Sequence, residues 1–377
     1  MMKKREATSI SKKIALVVMI SLLCFHAFVV MLRPVYASPK SLFVIADLRP
    51  PGGGIPISTY DIQPAPTYLA YRKSQSVPIW GSGAIDLAVD SESGTLFITY
   101  EFSNIIQLVN ATNFADLGTT ITPSASNLAG IVYDHEKRLL YTMDRRTCNL
   151  YVYKWDAATH VLTLESNVDL ANTSRAYGIA LDEINGILFV ADGENSRKFD
   201  LYDTDTWIHL KTKATTHTVV GIAVDAKNRF VYTSGGLRQY PPYDYGLYKY
   251  DMIRETETAI LNGPGGIHAE ILDVEVDQDS SLVYVTTFGD VSELYTPYRD
   301  MLVVFDSNLN ELWRSGDIGN PTGIAILRGE FSNNSPGSSV IEYWVVATLG
   351  LIGCFAAFGV FFIFKRKKRC INQTKKC

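Results

Sequence analysis

Short apolar runs that end in an acidic or amide side chain recur through the middle of this chain, each followed after a polar turn by another. First strands are read in AIDLAVD, AGIVYD, YGIALD, VGIAVD and ILDVEVD, ending at Asp90, Asp134, Asp182, Asp225 and Asp277. Second strands follow in LFITYE (96–101), LLYTMD (139–144), LFVAD (188–192), FVYTSG (230–235) and LVYVTT (282–287). Third strands close at Asn110, Asp156, Asp203, Asp251 and Asp306, and weaker fourth strands lie in HVLTLES (160–166), WIHLKTK (207–213) and ELWRSG (311–316). Such density of Val, Ile, Tyr and Phe between turn residues predicts strand after strand and no helix in this region.

Four strands per unit, at a spacing of about 43 to 55 residues, predict the blades of a β-propeller. One blade cannot bury both of its apolar faces, and radial stacking buries each against a neighbour. The Asp that ends strands one and three is expected to cap a tight turn through main-chain N–H groups, which leaves those periodic carboxylates without a catalytic role. Five units are complete. The last first strand, PTGIAIL (321–327), has no partner after it, whereas LFVIAD (42–47), ISTYD (57–61) and TYLAYRKS (67–74) lack a first strand before them. Joining them in one blade removes the open edge, so the expected fold is all-β: a six-bladed propeller closed by N- and C-terminal strands.

The runs YGIALDEINGILFVADGENSRKFDLYDTDT (177–206) and GIAVDAKNRFVYTS (221–234) resemble the NHL, YWTD and YVTN groups of secreted propeller repeats, over Leu42 to Leu327. The resemblance implies the fold more firmly than the function, because those groups include adhesion modules, receptors, lyases and lactonases. No unit carries a full YWTD.

The two ends place this propeller. Lys3, Lys4 and Arg5, an apolar run from Ile14 to Leu32, and small residues up to Ala37 predict a signal peptide over 1–37, cleaved after Ala37; the length of the run also suits retention as an anchor. The propeller is expected over 38–330 and a polar spacer over 331–344. A single C-terminal transmembrane helix is expected over 345–364, where 20 residues pass without a charge, and a basic cytoplasmic tail over 365–377. The Lys365–Arg369 cluster orients the span with the propeller outside the cell membrane. Cys148 is then the one cysteine on the exported side, so core packing rather than a disulfide holds the domain. The sequons at Asn110, Asn172 and Asn333 lie on that side as glycosylation candidates.

The chain's net charge of −4 averages over two basic ends. Without them 22 basic and 38 acidic residues remain, a net charge near −16, which disfavours nucleic acid as a partner. An extracellular protein or glycan ligand is expected instead. The loops from strand two to three and from strand four to the next blade open on one propeller face. Two of these loops, 235–246 and 288–300, are enlarged, and they carry Arg238, Tyr240, Tyr243, Tyr245, Tyr295, Tyr298 and Arg299. Tyrosine and arginine bring large contact area with few rotamers to freeze, so these residues are binding candidates; packing of their own loops is the competing account.

First strands begin at Gly130, Gly178, Gly221 and Gly323, but at Asp86 and Asp273 in two blades, with His268 upstream of the second. Asp86, Asp273 and His268 are the candidate metal ligands, for Ca²⁺ at the channel, in a reading where no other cofactor is expected. Asp47, Glu101, Asp144 and Asp192, at the ends of second strands, are expected to knit blades together by hydrogen bonds. Glu275 occupies the place of Ala88, Val132, Ala180, Ala223 and Ala325, and burial there would raise its pKa. No HExxH, GxSxG, P-loop or GxGxxG sequence is present. The expected function is a membrane-anchored binding module, the alternative a divalent-metal-dependent lyase or lactonase at the channel mouth.

Overall fold

Each apolar run that ends in a turn Asp pairs with the run after it, and the pairs assemble into six four-stranded antiparallel sheets. The computed structural model describes residues 40–46, 54–78, 83–193, 196–235, 245–260, 270–288 and 300–328. The expected signal peptide, spacer, transmembrane helix and tail lie outside the described residues. Among the described residues there is no helix long and apolar enough to cross a membrane.

Blade 1 joins the two ends of the domain. Pro321–Leu327 is its innermost strand and pairs with Ser41–Ala46, with Ile324 opposite Val44 and Ala325 opposite Phe43. Ile55–Ile62 and Leu69–Val77 complete that sheet. Lys40 Nζ then ties the N-terminal end to blade 6, 2.5 Å from Asp277 and 2.5 Å from Asp279. The innermost strands of blades 2 to 6 are Ala84–Asp90, Leu128–Asp134, Ala176–Asp182, Val219–Asp225 and Glu270–Asp277.

The core lies between blades. Six buried apolar clusters each draw on two adjacent sheets, as where Phe43, Ile57 and Ala325 of blade 1 meet Leu87, Leu96 and Ile98 of blade 2. In five blades an aromatic side chain of the second strand stands opposite a small apolar residue of the first: Phe43 opposite Ala325, Phe97 opposite Ala88, Tyr141 opposite Val132, Phe189 opposite Ala180, Tyr232 opposite Ala223. A small neighbour leaves room for a large ring beside the crowded axis, which suits the alanines. In blade 6 the partner of Tyr284 is Glu275.

The turn acids do what their spacing implies. Asp90 accepts the Glu92 N–H at 3.0 Å, Asp134 that of Lys137 at 2.8 Å, Asp182 that of Asn185 at 3.0 Å and Asp225 that of Asn228 at 3.0 Å. Asp156, Asp203, Asp251 and Asp306 act alike at the ends of third strands. These turns and both ends of the domain, Lys40 and Arg328, lie on one face, termed lower here.

Candidate functional site

All six innermost strands carry a register shift at one level of the channel, two residues before the small-residue position. The residues there are Gly323, Asp86, Gly130, Gly178, Gly221 and Asp273 in ring order. A Cβ on Gly130 would stand 2.7 Å from the Ile179 nitrogen, and one on Gly178 would stand 2.8 Å from the Val220 oxygen. The next blade's backbone therefore occupies the space of a side chain. In the two aspartate blades a carboxyl spans the gap instead. Asp86 accepts N–H groups of Leu87 at 2.8 Å and of Ile131, in the next blade, at 3.0 Å. Asp273 does the same with Val274 at 2.8 Å and Ile324 at 2.7 Å.

The ring brings these aspartates together, with only Gly323 between them in the circle. Burial, then the charge of Asp273, raises the pKa of Asp86 well above the carboxylate range. Burial also raises Asp273, to about 7, against the pull of its amide partners. Burial thus favours the protonated form of both carboxyls. Of the expected metal ligands, the structure places Asp86 and Asp273 at one level, while His268 lies outside the described residues. Among the described residues no group of three or more His, Cys, Asp or Glu is arranged to hold a metal ion. Each aspartate also staples its blade to the next.

Below the pair a cavity of about 100 Å³ is lined by Glu275, His135, Glu183 and Arg328. Burial, reinforced by Asp273, raises Glu275 to about 8, as its place among alanines implies, so this carboxyl is neutral at pH 7. Glu183 is the opposite case. It is buried too, yet His135 hydrogen-bonds it (Nδ1 at 2.8 Å, N–H at 3.1 Å), and Arg328 reaches across from blade 1 to 3.3 Å. These partners outweigh burial and hold it at about 2. The Arg328–Glu183 pair joins blades 1 and 4, on opposite sides of the ring, across the lower end of the channel.

Among the described residues the upper end is open. A cavity of about 800 Å³ there is lined by Asp86 and Asp273 at its floor and by Glu101, Phe102, Arg145, Arg146, Arg175 and Tyr177 around its mouth. Arg145 pairs with Glu101 of the preceding blade at 2.8 Å and lies over the Tyr177 ring, 3.8 Å from its centroid. Asp144 and Asp192 fix the neighbouring loops. Asp144 accepts N–H groups of Ser126 (2.6 Å), Asn127 (3.0 Å), Arg146 (2.8 Å) and Thr147 (2.9 Å), and those bonds hold its pKa low although burial opposes them. Asp192 accepts those of Ser174 at 3.1 Å and Arg175 at 3.0 Å. Glu101 thus knits blades, whereas Asp144 and Asp192 pin the linkers between them; Asp47 lies outside the described residues. Asp144→Ala would strand four main-chain donors at the rim, and a loss of about 2 kcal/mol is expected in denaturant unfolding, with Asp144→Asn recovering part of it.

Of the expected binding residues, Tyr245 is described and half-buried at the foot of Gly246–Asp251. Arg238, Tyr240, Tyr243, Tyr295, Tyr298 and Arg299 lie outside the described residues, as does Asn333. Asn110 accepts the Thr112 N–H at 2.9 Å in a lower-face turn, and Asn172 is exposed in an upper-face linker. Sequence reasoning passed over the arginines of the mouth. Arg145 and Arg146 follow a second strand directly and Arg175 precedes a first strand, the two loop positions that open on the upper face.

No family model matches the chain, and no curated protein matches it in sequence. Solved structures resemble it in fold. A chain in "Crystal structure of Nidogen/Laminin Complex" aligns with TM-score 0.57 at 15% identity, over 77% of this chain and 99% of that one. A protein of unknown function from Bacteroides caccae aligns with TM-score 0.56 at 13% identity, over 77% of this chain and 100% of that one. At such identities the likeness extends to the fold, an all-β six-bladed propeller, and no further.

Proposed function

We propose that this chain is a membrane-anchored extracellular binding module, a six-bladed propeller of the NHL, YWTD or YVTN type that takes a protein partner on its upper face. The observation that carries the reading is the placement of the cavity. It opens on the face opposite Lys40 and Arg328, where the domain's two ends emerge. With residues 345–364 as a span and Lys365–Arg369 inside the cell, a domain tethered from its lower face turns its upper mouth away from the bilayer. The neighbour from the nidogen/laminin complex has the same fold and is part of a protein assembly, which agrees with a protein ligand. The lyase or lactonase alternative needs a cation at Asp86 and Asp273, and both of these carboxyls already accept two amide hydrogen bonds each.

Photo-cross-linking in intact cells tests the reading. The full-length chain is made with p-benzoylphenylalanine at Phe102, on the upper rim, or at Ile184, exposed on the lower face. A discrete protein adduct is expected from position 102 and none from position 184. Adducts from 184 alone, or none from 102, would overturn it.

A further inference from the structure

We infer that an apolar edge on the lower face of blades 4 and 5, led by Ile184, Ile208 and Ile253, lies on the lipid bilayer that holds the chain. This builds on the membrane-anchored reading and goes beyond it. Ile184 and Ile253 are the most exposed large apolar side chains among the described residues, at 76% and 75%, and Ile208 is 62% exposed. All three stand in lower-face turns that an aspartate caps. The repeat shows that such turns do not require them. Two residues after the Asp that closes the first strand, Glu92, Glu136, Lys227 and Asp279 occupy the place of Ile184. Two residues after the third strand, Thr112, Ala158, Asp205 and Asn308 occupy the place of Ile253. Aliphatic side chains left in water where equivalent units place polar or small ones point to a contact outside the domain.

The three turns form one continuous edge. Thr204 donates its N–H (2.9 Å) and its hydroxyl (3.1 Å) to the Gly186 carbonyl, which joins the Ile184 turn to the turn that ends at Ile208. Lys213 Nζ, on the strand that follows Ile208, lies 2.9 Å from Glu255 in the Ile253 turn. Charge along this edge does not favour anionic lipid. Glu183 is met by Arg328 and His135, Asp205 by Lys137 at 2.6 Å, Asp251 by Arg254 at 3.7 Å and Glu255 by Lys211 and Lys213. The capping Asp182, Asp203 and Asp225 then outnumber Lys227 and Arg229 on the turns of these two blades. The contact is therefore apolar, with zwitterionic lipid.

The tether selects the occupant. The chain leaves the lower face at Arg328, and residues 329–344 separate it from the expected span. A flexible segment of that length spans on average about 20 to 24 Å, which keeps the edge within reach of the headgroups. Three isoleucines are too few to hold a free domain on a bilayer, but a tethered domain meets that bilayer as an intramolecular partner. Two copies anchored in one membrane meet side by side and not lower face to lower face, so a second copy does not cover this edge.

The test uses the full-length chain in phosphatidylcholine proteoliposomes. p-Benzoylphenylalanine is placed at Ile184, Ile208 or Ile253, at Phe358 in the expected span, or at Phe102, and adducts are read by mass spectrometry. Lipid adducts are expected from 184, 208, 253 and 358 and none from 102. In the I184E/I253E double variant the lipid adduct from position 208 should fall about tenfold, with an unchanged unfolding midpoint. Replacing about a third of the lipid by phosphatidylserine should not raise the yields. An adduct from 358 with none from the isoleucine positions overturns the inference. So does a cross-linked dimer in place of the lipid adduct, a yield that the double variant leaves unchanged, or one that anionic lipid raises. Without a lipid adduct from 358 the anchor and this contact fall together. The protein adduct from residue 102 in intact cells is a separate readout, so the binding face stands or falls independently of the lipid contact.

Discussion

Gly130→Ala is expected to destabilise the domain by about 3 kcal/mol, the upper end of what overpacking a closed site costs. The new methyl would stand 2.7 Å from the Ile179 nitrogen and 2.8 Å from the Tyr177 oxygen, closer than carbon approaches either atom. Both are main-chain atoms of the next innermost strand, so no side-chain rotation relieves the contact. Blade 4 would have to move outward. In a closed ring that motion opens a second interface as well, because each sheet packs on two neighbours. Gly94→Ala is the control: its φ of +65° strains alanine by about 1 kcal/mol, but nothing lies within 4 Å of its Cβ. Denaturant unfolding of both variants separates crowding at the axis from backbone strain. Equal losses would show that blades tolerate displacement and that the glycine ring is not what sets their approach.

The second large effect is a fall in stability as pH rises through neutrality. Asp273 and Glu275 bind protons more tightly folded than unfolded, with folded values of about 7 and about 8. Between the ordinary carboxylate range and those values the native state holds more protons than the unfolded chain, so stability decreases with pH there. Their contribution is complete below the unfolded values and is lost as pH rises through about 7 and about 8. Glu183 runs the other way, because its stabilisation is present above the ordinary value and is lost only as pH falls through about 2. The two windows do not overlap, and maximal stability is expected on the acid side of neutral. Glu275→Gln removes one of the groups that must ionise. At pH 9 the variant should exceed the wild type by on the order of 4 kcal/mol, with the difference shrinking towards pH 5. Urea midpoints across that range check it, and a pH-independent difference would show that Glu275 is not the titrating group.

Much of this is legible in the chain because a repeat states the same local physics many times. An apolar run, an Asp, a polar turn and a second run recur often enough to identify the blade, and the unpartnered 321–327 together with the unpartnered 42–47 identifies the closure. Glu275 stands out because five other blades show a small apolar residue in its place. The site is less legible. The mouth arginines come from different blades, and neither the distance between loops nor the pairing of Arg145 with Glu101 leaves a mark on local sequence. Asp86 and Asp273 are 187 positions apart, and only the joining of the two ends, which puts Gly323 between their strands, makes them neighbours.

Sequence alone thus determined the blade, the number of blades and the joining of the ends, since each depends on periodic burial and on turn chemistry that acts within a few residues. Tertiary structure decided the rest: which carboxyls are buried side by side, that Arg328 crosses the ring to Glu183 at the lower end, and that three arginines line the upper cavity. Those outcomes depend on distances across the channel, and no local pattern encodes them.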